Sequence, residues 1–206
     1  MKILIIGDSH IPSRTTKIPD EICSKIKELT KLELYNYTFF TGDLIKYPEL
    51  IEFLNSKTAK DVFIVVGNMD YFEGNRNLPV YQELNLPLGK VYLKIGLIHG
   101  AQIEPRGDRM QLEDLAIEKG DQILISGHTH KEDVFLTEKG ILLLNPGSST
   151  GAWSFIASGV PSFIVLFVED KSKEISASLF QLDRNFHNIK ESKFRFKLKN
   201  NKVQSF

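Results

Sequence analysis

Cysteine is nearly absent. Cys23 is the single thiol in 206 residues, so no disulfide can form within the chain, and such usage fits a reducing compartment. It falls between Ile22 and Ile26 at helical spacing, which reads as a core position rather than a nucleophile. Net charge is lacking too. Lys and Arg together number 26, and so do Asp and Glu, which leaves no overall field to draw the chain to nucleic acid or to a membrane surface. No apolar run approaches the roughly 20 residues of a membrane span. The short run at residues 3–6, followed by charged Asp8, is too brief for a secretory leader. A cytoplasmic protein is expected, reaching membranes only through a partner. Repeats and interior linkers are missing as well. The 42% of hydrophobic residues is enough to bury a full sheet and its helices in one globular domain.

The apolar stretches end in a repeated way. Residues 3–6 are all apolar and are followed by Gly7, Asp8 and His10. This reads as a buried parallel strand, and open α/β sheets place ligands where such strands end. Residues two apart in extended chain point the same way, so Asp8 and His10 are expected to aim a carboxylate and an imidazole at one point. Ile18, Ile22, Ile26 and Leu29 then recur at helical spacing. A second strand from Tyr37 ends in Gly42-Asp43, and Pro48 sits early in the helix beyond it. Residues 61–66, DVFIVV, make a third buried run ending in Gly67-Asn68-Met69-Asp70. Residues 71–90 read as looser chain. A strand running into His99 follows, then a helix over residues 109–119 closed by Gly120. Residues 121–126 form another buried strand, closed by Gly127-His128-Thr129-His130. Only strands are expected after that: a hairpin around Lys139-Gly140, then an antiparallel pair over residues 161–170 and 174–182. The expectation is an α/β half followed by a β-rich half, arranged as two sheets face to face with helices outside.

The histidines narrow the chemistry. There are five: His10, His99, His128, His130 and His187. The first four fall at or just beyond predicted strand ends, and Asp8, Asp43 and Asn68 occupy equivalent places. Imidazole, carboxylate and amide donors without a thiolate suit borderline divalent ions such as Mn²⁺, Fe²⁺ or Zn²⁺, and do not suit a structural zinc site. Seven such residues exceed the needs of one ion and match two ions sharing a carboxylate. A pair of that kind holds a phosphoryl oxygen and lowers the pKa of a bridging water, which predicts hydrolysis of a phosphate ester.

Asp8-Ser9-His10, Gly42-Asp43, Gly67-Asn68-Met69-Asp70, Gly96-Leu97-Ile98-His99-Gly100 and Gly127-His128-Thr129-His130 resemble, in that order, the motifs of calcineurin-like metallophosphoesterases. The resemblance covers at least residues 1–165. It implies an α/β fold, a four-layer α/β/β/α sandwich of two mixed sheets flanked by helices, assigned to residues 1–185; residues 186–206 read, from their own composition, as a basic strand or tail. It also implies two divalent ions and a metal-bridging hydroxide. Asp8, His10, Asp43 and His130 would hold one ion; Asp43, Asn68, His99 and His128 would hold the other, with Asp43 bridging. Asp43, Asn68 and His99 form the implied catalytic set. Mn²⁺ is the first choice, with Zn²⁺, Fe²⁺ or Ni²⁺ as alternatives, and the implied substrate is a phosphodiester or an activated monoester.

GDSHIPSR, GLIHGAQ, SGHTHKEDVF, NPGSSTGA and PSF are similar to one branch of that family. The branch holds the small YfcE-like phosphodiesterases and the retromer subunit vacuolar protein sorting protein 29. A retromer-like scaffold that binds protein partners is therefore the second reading. Animal forms of that subunit carry Asn where this chain has Asp43, and Asp where it has Asn68, whereas this chain keeps the donor types of the active enzymes. Many relatives have a histidine that protonates the leaving group where Met69 stands here, and Ala101 replaces another, so a good leaving group is required. Asp70 reads as an orienting residue, and Asn145 as a turn residue or a pocket contact. Trp153, Phe155, Ile156 and Val160 read either as interface anchors or as packing over a sheet edge. Gln102, Ile103, Glu104 and Pro105 lie in the stretch that is close to the scaffold in the retromer branch. KFRFKLK, at residues 193–199, alternates as an edge strand does or forms a basic patch for docking anions, and fraying is expected after Asn200.

Overall fold

The computed structural model describes residues 1–183 and 188–206; His187 and Phe186 lie outside the described residues. Two sheets make up the chain. The first is centred on β1 (Lys2–Ile6), which pairs parallel with β2 (Tyr35–Phe40) and antiparallel with β9 (Ser162–Val168). Beyond β2 lies β3 (Thr58–Ile64); beyond β9 lie β10 (Glu174–Leu182), β11 (Ile189–Lys199) and β12 (Lys202–Ser205) in that order. The second sheet runs β4 (Tyr81–Leu88), β5 (Val91–Ile98), β6 (Ile123–Ile125), β8 (Leu142–Asn145), β7 (Asp133–Leu136). Four helices complete the described chain: α1 (Asp20–Leu29), α2 (Pro48–Ser56), α3 (Asn68–Phe72) and α4 (Arg109–Lys119).

Strand alternation builds the layers. In β1, Ile3 and Ile5 point between the sheets and meet Ile95, Leu97, Ile123 and Ile125 of the second sheet. Leu4 and Ile6 point the other way, onto Ile22 and Ile26 of α1 and Leu50 and Leu54 of α2. On the far side, Leu112 and Ala116 of α4 cover Leu124 and Leu143. The result is a four-layer α/β/β/α sandwich of two mixed sheets. β1 is buried on both faces, which is why its sequence shows no polar alternation. Each such side chain contributes about 1.5–3 kcal/mol of burial.

The structure departs from expectation in four places. Neither half of the chain builds a sheet alone, because β1–β3 and β9–β12 close one sheet from both ends of the sequence. Residues 61–66 are not buried throughout: among the described residues β3 is the edge of its sheet, so Val62, Phe63 and Ile64 stay half-buried. Residues 81–88, expected as loose chain, form β4; Pro87 is tolerated because β4 is an edge. The C-terminal segment does not fray. Asn200 and Asn201 take φ of 52° and 58°, the left-handed pair of a tight hairpin turn, and return the chain as β12 with Val203 buried. That makes β11 an interior strand and β12 the edge.

Candidate metal centre

The loops leaving β1, β2, β3, β5 and β6 at their C-terminal ends converge between the sheets. Asp8 and His10 follow β1, Asp43 follows β2, Asn68 opens α3 just beyond β3, His99 follows β5, and His128 and His130 follow β6. The extended geometry expected of Asp8 and His10 does not occur. Both have a φ of 49°, and Asp43, His128 and His130 have φ of 56°, 66° and 57°. This left-handed region is costly for residues with a Cβ and recurs at functional loops. Cross-loop bonds hold the turn: Asp8 N–H donates to Gly42 O and His10 N–H to Asp43 O, both at 2.9 Å. The side chains thus converge through a coiled turn, not a strand. The flanking glycines let carboxylates press against backbone. A Cβ on Gly67 would lie 2.0 Å from Asp43 Oδ1, and one on Gly127 would lie 2.4 Å from Asp8 Oδ2.

All seven predicted donor residues come to one place. Donor atoms of Asp8, His10, Asp43 and His130 lie within 4.8 Å of one another, and all four residues are buried. His10 Nε2 is 3.0 Å from His130 Nε2 and 3.2 Å from Asp43 Oδ2, and His130 Nε2 is 3.3 Å from Asp8 Oδ1. The other donors adjoin. Asn68 Oδ1 is 3.1 Å from His99 Nε2 and 3.0 Å from His128 Nδ1, and those two ring nitrogens are 3.3 Å apart. Asp43 Oδ2 joins the groups, at 3.6 Å from His99 Nε2.

Main-chain carbonyls set the rings. His99 Nδ1–H donates to Thr41 O at 2.8 Å and His130 Nδ1–H to Ala152 O at 2.9 Å. Each bond leaves a lone pair on Nε2, directed into the cluster. The lone pair of His99 Nε2 therefore faces the acceptor Asn68 Oδ1, and that of His130 Nε2 faces Asp8. Opposed acceptors require a cation between them, a proton or a metal ion. His10 Nδ1 is buried with no hydrogen-bond partner among the described residues. The donor set and its geometry fit divalent metal binding.

Electrostatics point the same way. Burial pushes Asp43 up, yet the His10 hydrogen bond, the His99 and His10 charges and the Met69 N–H hold it down at about 2. Asp8 also lies below its ordinary value, because His130 and His99 outweigh its burial. Burial opposes the charged form of His130, but the hydrogen bond to Asp8 raises it. His128 goes the other way, to about 4, through burial and then the charges of His99 and Arg106.

Supporting residues complete the picture. Asp70 accepts the N–H groups of Asp43 and Ile45 at 2.7 Å and of Gly67 at 2.9 Å, so it orients the loops as its position suggested. Asn145 does more than turn the chain. Its amide donates to Gly127 O and Thr129 Oγ1, at 2.9 and 3.0 Å, and braces the segment carrying His128 and His130. Ser148, whose Oγ donates to Asp8 O at 2.7 Å, escaped the sequence reading, as did Thr41, which acts through a carbonyl that no residue letter announces. Trp153 and Phe155 do not pack over a sheet edge; they are 64% and 78% exposed.

Two mixed sheets with a carboxylate, imidazole and amide cluster at their strand ends form the frame of a metal-dependent phosphoesterase. Residues 1–171 match the calcineurin-like phosphoesterase superfamily domain, and the chain belongs to that family. It is 35% identical over 155 residues to a probable metallophosphoesterase of Methanothermobacter thermautotrophicus, covering 73% of this chain and 78% of the relative. It is also similar to Vps29 of Entamoeba histolytica. A single-mutant crystal structure of that protein is 30% identical with a TM-score of 0.81, covering 96% of this chain and 100% of the other. The wild type, complexed with zinc, matches at 30% identity and a TM-score of 0.78, covering 95% and 99%. Vps29 of Chaetomium thermophilum, complexed with a cyclic peptide, matches at 25% identity and a TM-score of 0.75, covering 96% and 97%. No helix among the described residues is long and apolar enough to cross a membrane.

Proposed function

We propose that this chain is a divalent-metal-dependent phosphoesterase that hydrolyses phosphodiesters, or monoesters with good leaving groups. The observation that carries the reading is the set of opposed lone pairs joined at Asp43 Oδ2, 3.2 Å from His10 Nε2 and 3.6 Å from His99 Nε2. In this reading Asp8, His10, Asp43 and His130 hold one ion. Asn68, His99 and His128 hold a second with Asp43 shared, and Mn²⁺ is the first choice. Bound divalent ions supply Lewis-acid stabilisation of phosphoryl oxygens and a nucleophilic water at neutral pH. The protein does the rest. Asp43 stays ionised across the physiological range, and the Thr41 and Ala152 carbonyls keep the His99 and His130 rings from turning. Met69 contributes its N–H to Asp43 and no imidazole, and Ala101 adds none, so substrates must leave without strong acid assistance.

The test is hydrolysis of bis-p-nitrophenyl phosphate by the metal-stripped chain, with and without Mn²⁺, beside Asp43→Asn. Turnover is expected to require Mn²⁺ and to fall about 10³-fold in the variant, with an unchanged circular dichroism spectrum. Equal turnover by Asp43→Asn would sink the shared-carboxylate assignment.

The likeness to Vps29 across 96% of the chain favours a second reading, a scaffold that binds a protein partner around a retained metal site. Mn²⁺ binding without turnover of any phosphate ester would favour it. Under either reading we place the chain in the cytoplasm, at membranes only through a partner.

A further inference from the structure

Beside the donor cluster the chain holds out an aromatic pair that no packing contact of the fold demands. Trp153 and Phe155 lie edge to face, with ring centroids 5.0 Å apart and planes at 61°. Leaving that much aromatic surface in water is unfavourable, yet the loop is bolted in place by the centre itself. On one side of Trp153, Ala152 O accepts the Nδ1–H of His130 at 2.9 Å. On the other, Ser154 Oγ donates at 2.6 Å to the carbonyl of Thr129, the residue between His128 and His130. The carbonyl of Trp153 itself accepts from the Arg14 guanidinium. The indole is therefore held at a set place relative to the cluster.

Two cations border the pair. Arg14 follows His10 by four residues, and the Arg106 guanidinium lies 5.5 Å from the centroid of the Phe155 ring. Neither has an ion-pair partner among the described residues, whereas nearby Arg109 is engaged through both ends by Asp133 at 2.9 Å. Guanidinium groups left unpaired bind phosphate oxygens in forked pairs. An exposed indole offers a stacking face to any nucleobase.

We propose that Trp153 and Phe155, with Arg14 and Arg106, form the specificity site for the organic arm of the substrate, and that this substrate is a nucleotide ester. The base stacks on Trp153, the scissile phosphate lies at the donor cluster, and the arginines take further phosphate oxygens. For the reaction this rests on the phosphoesterase reading; for the binding it does not.

Trp153 is the single tryptophan of the chain, so intrinsic fluorescence reports on the site directly. The full chain loaded with Zn²⁺, titrated with adenosine 5′-monophosphate, is expected to show saturable quenching. Ribose 5-phosphate should give none, and Arg106→Ala should weaken the nucleotide response. In parallel, Mn²⁺-loaded chain is given two diesters with the same leaving group, thymidine 5′-monophosphate p-nitrophenyl ester and methyl p-nitrophenyl phosphate. The ratio of their kcat/KM values should favour the nucleoside ester by about tenfold, collapse in Trp153→Ala and survive in Trp153→Phe. Equal kcat/KM values and no base-dependent quenching would overturn the proposal and leave the pair to a protein partner. Base-dependent quenching without turnover of either ester would keep the base site and remove the phosphoesterase reading. Turnover of both esters without base preference would do the reverse.

Discussion

Asp8 and Asp43, beyond the ends of β1 and β2, and Asp121, just before β6, are all carboxylates removed from water, and burial alone would raise all three. At the donor cluster it does not prevail. Ring N–H groups and imidazole charge hold Asp8 and Asp43 below their ordinary values. At Asp121 burial wins and carries the group up to about 6, because the Tyr81 hydroxyl at 2.9 Å and Lys94 at 3.9 Å offset it only in part. Asp121 Oδ2 has no hydrogen-bond partner among the described residues. The contrast separates a carboxylate made useful from one merely enclosed. The first faces several rings whose lone pairs and protons answer to it; the second faces one hydroxyl, a glycine and a lysine held 3.9 Å off.

The donor-cluster side of this comparison breaks most severely at Asp70. Its carboxylate is the acceptor for three buried N–H groups, those of Asp43, Ile45 and Gly67. Asp70→Ala is expected to cost about 3–5 kcal/mol in urea unfolding. A loss below about 1 kcal/mol would mean that the loop does not lean on it.

The enclosed side breaks at Gly96. A Cβ there would sit 2.0 Å from Asp121 Oδ2 and 2.6 Å from its Cγ, so Gly96→Ala should cost about 1–3 kcal/mol. Adding Asp121→Ser removes the collision, and most of that cost should vanish. Additive losses in the double variant would show that the glycine is there for another reason.

The smallest effect is a slope. Asp121 titrates near 6 in the folded chain against an ordinary 3.8, so the folded state holds the extra proton between those values. Its contribution to stability is full below the lower value and is lost as pH rises through the upper one. His128, lowered from 6.5 to about 4, acts oppositely, since the unfolded chain binds the proton there and stability rises with pH. The two partly cancel in the metal-stripped chain. Asp121→Asn should therefore steepen the rise of stability between about pH 4 and pH 6. Urea midpoints with the same slope as the wild type would show that Asp121 titrates as an ordinary carboxylate.

Much of the fold was legible because local pattern carries it. The four apolar residues of β1, the 3.6-residue spacing of α1 and the glycine closing α4 at φ 75° each follow from neighbours in sequence. β4 was not legible, since its apolar residues alternate around a proline, which normally breaks strands, and only its edge position makes Pro87 tolerable. β12 was hidden for a related reason: its pairing depends on a turn of two asparagines with left-handed backbones. Arg14 and Arg106 carried no signal as loop arginines. The meaning proposed for them comes from standing beside Trp153 and Phe155 without a carboxylate partner among the described residues.

The letters alone determined which donors the chain offers and that they stand at strand ends, because a side chain's chemistry travels with its residue and strand ends follow from short-range pattern. Tertiary structure decided the interleaving of the two sheets, the place of Asp43 between the two groups of donors, the raised carboxyl of Asp121 and the direction of each lone pair. His99 is set by a carbonyl 58 residues away, and His130 by one 22 residues away. Every residue has a carbonyl, so only the fold could select those two.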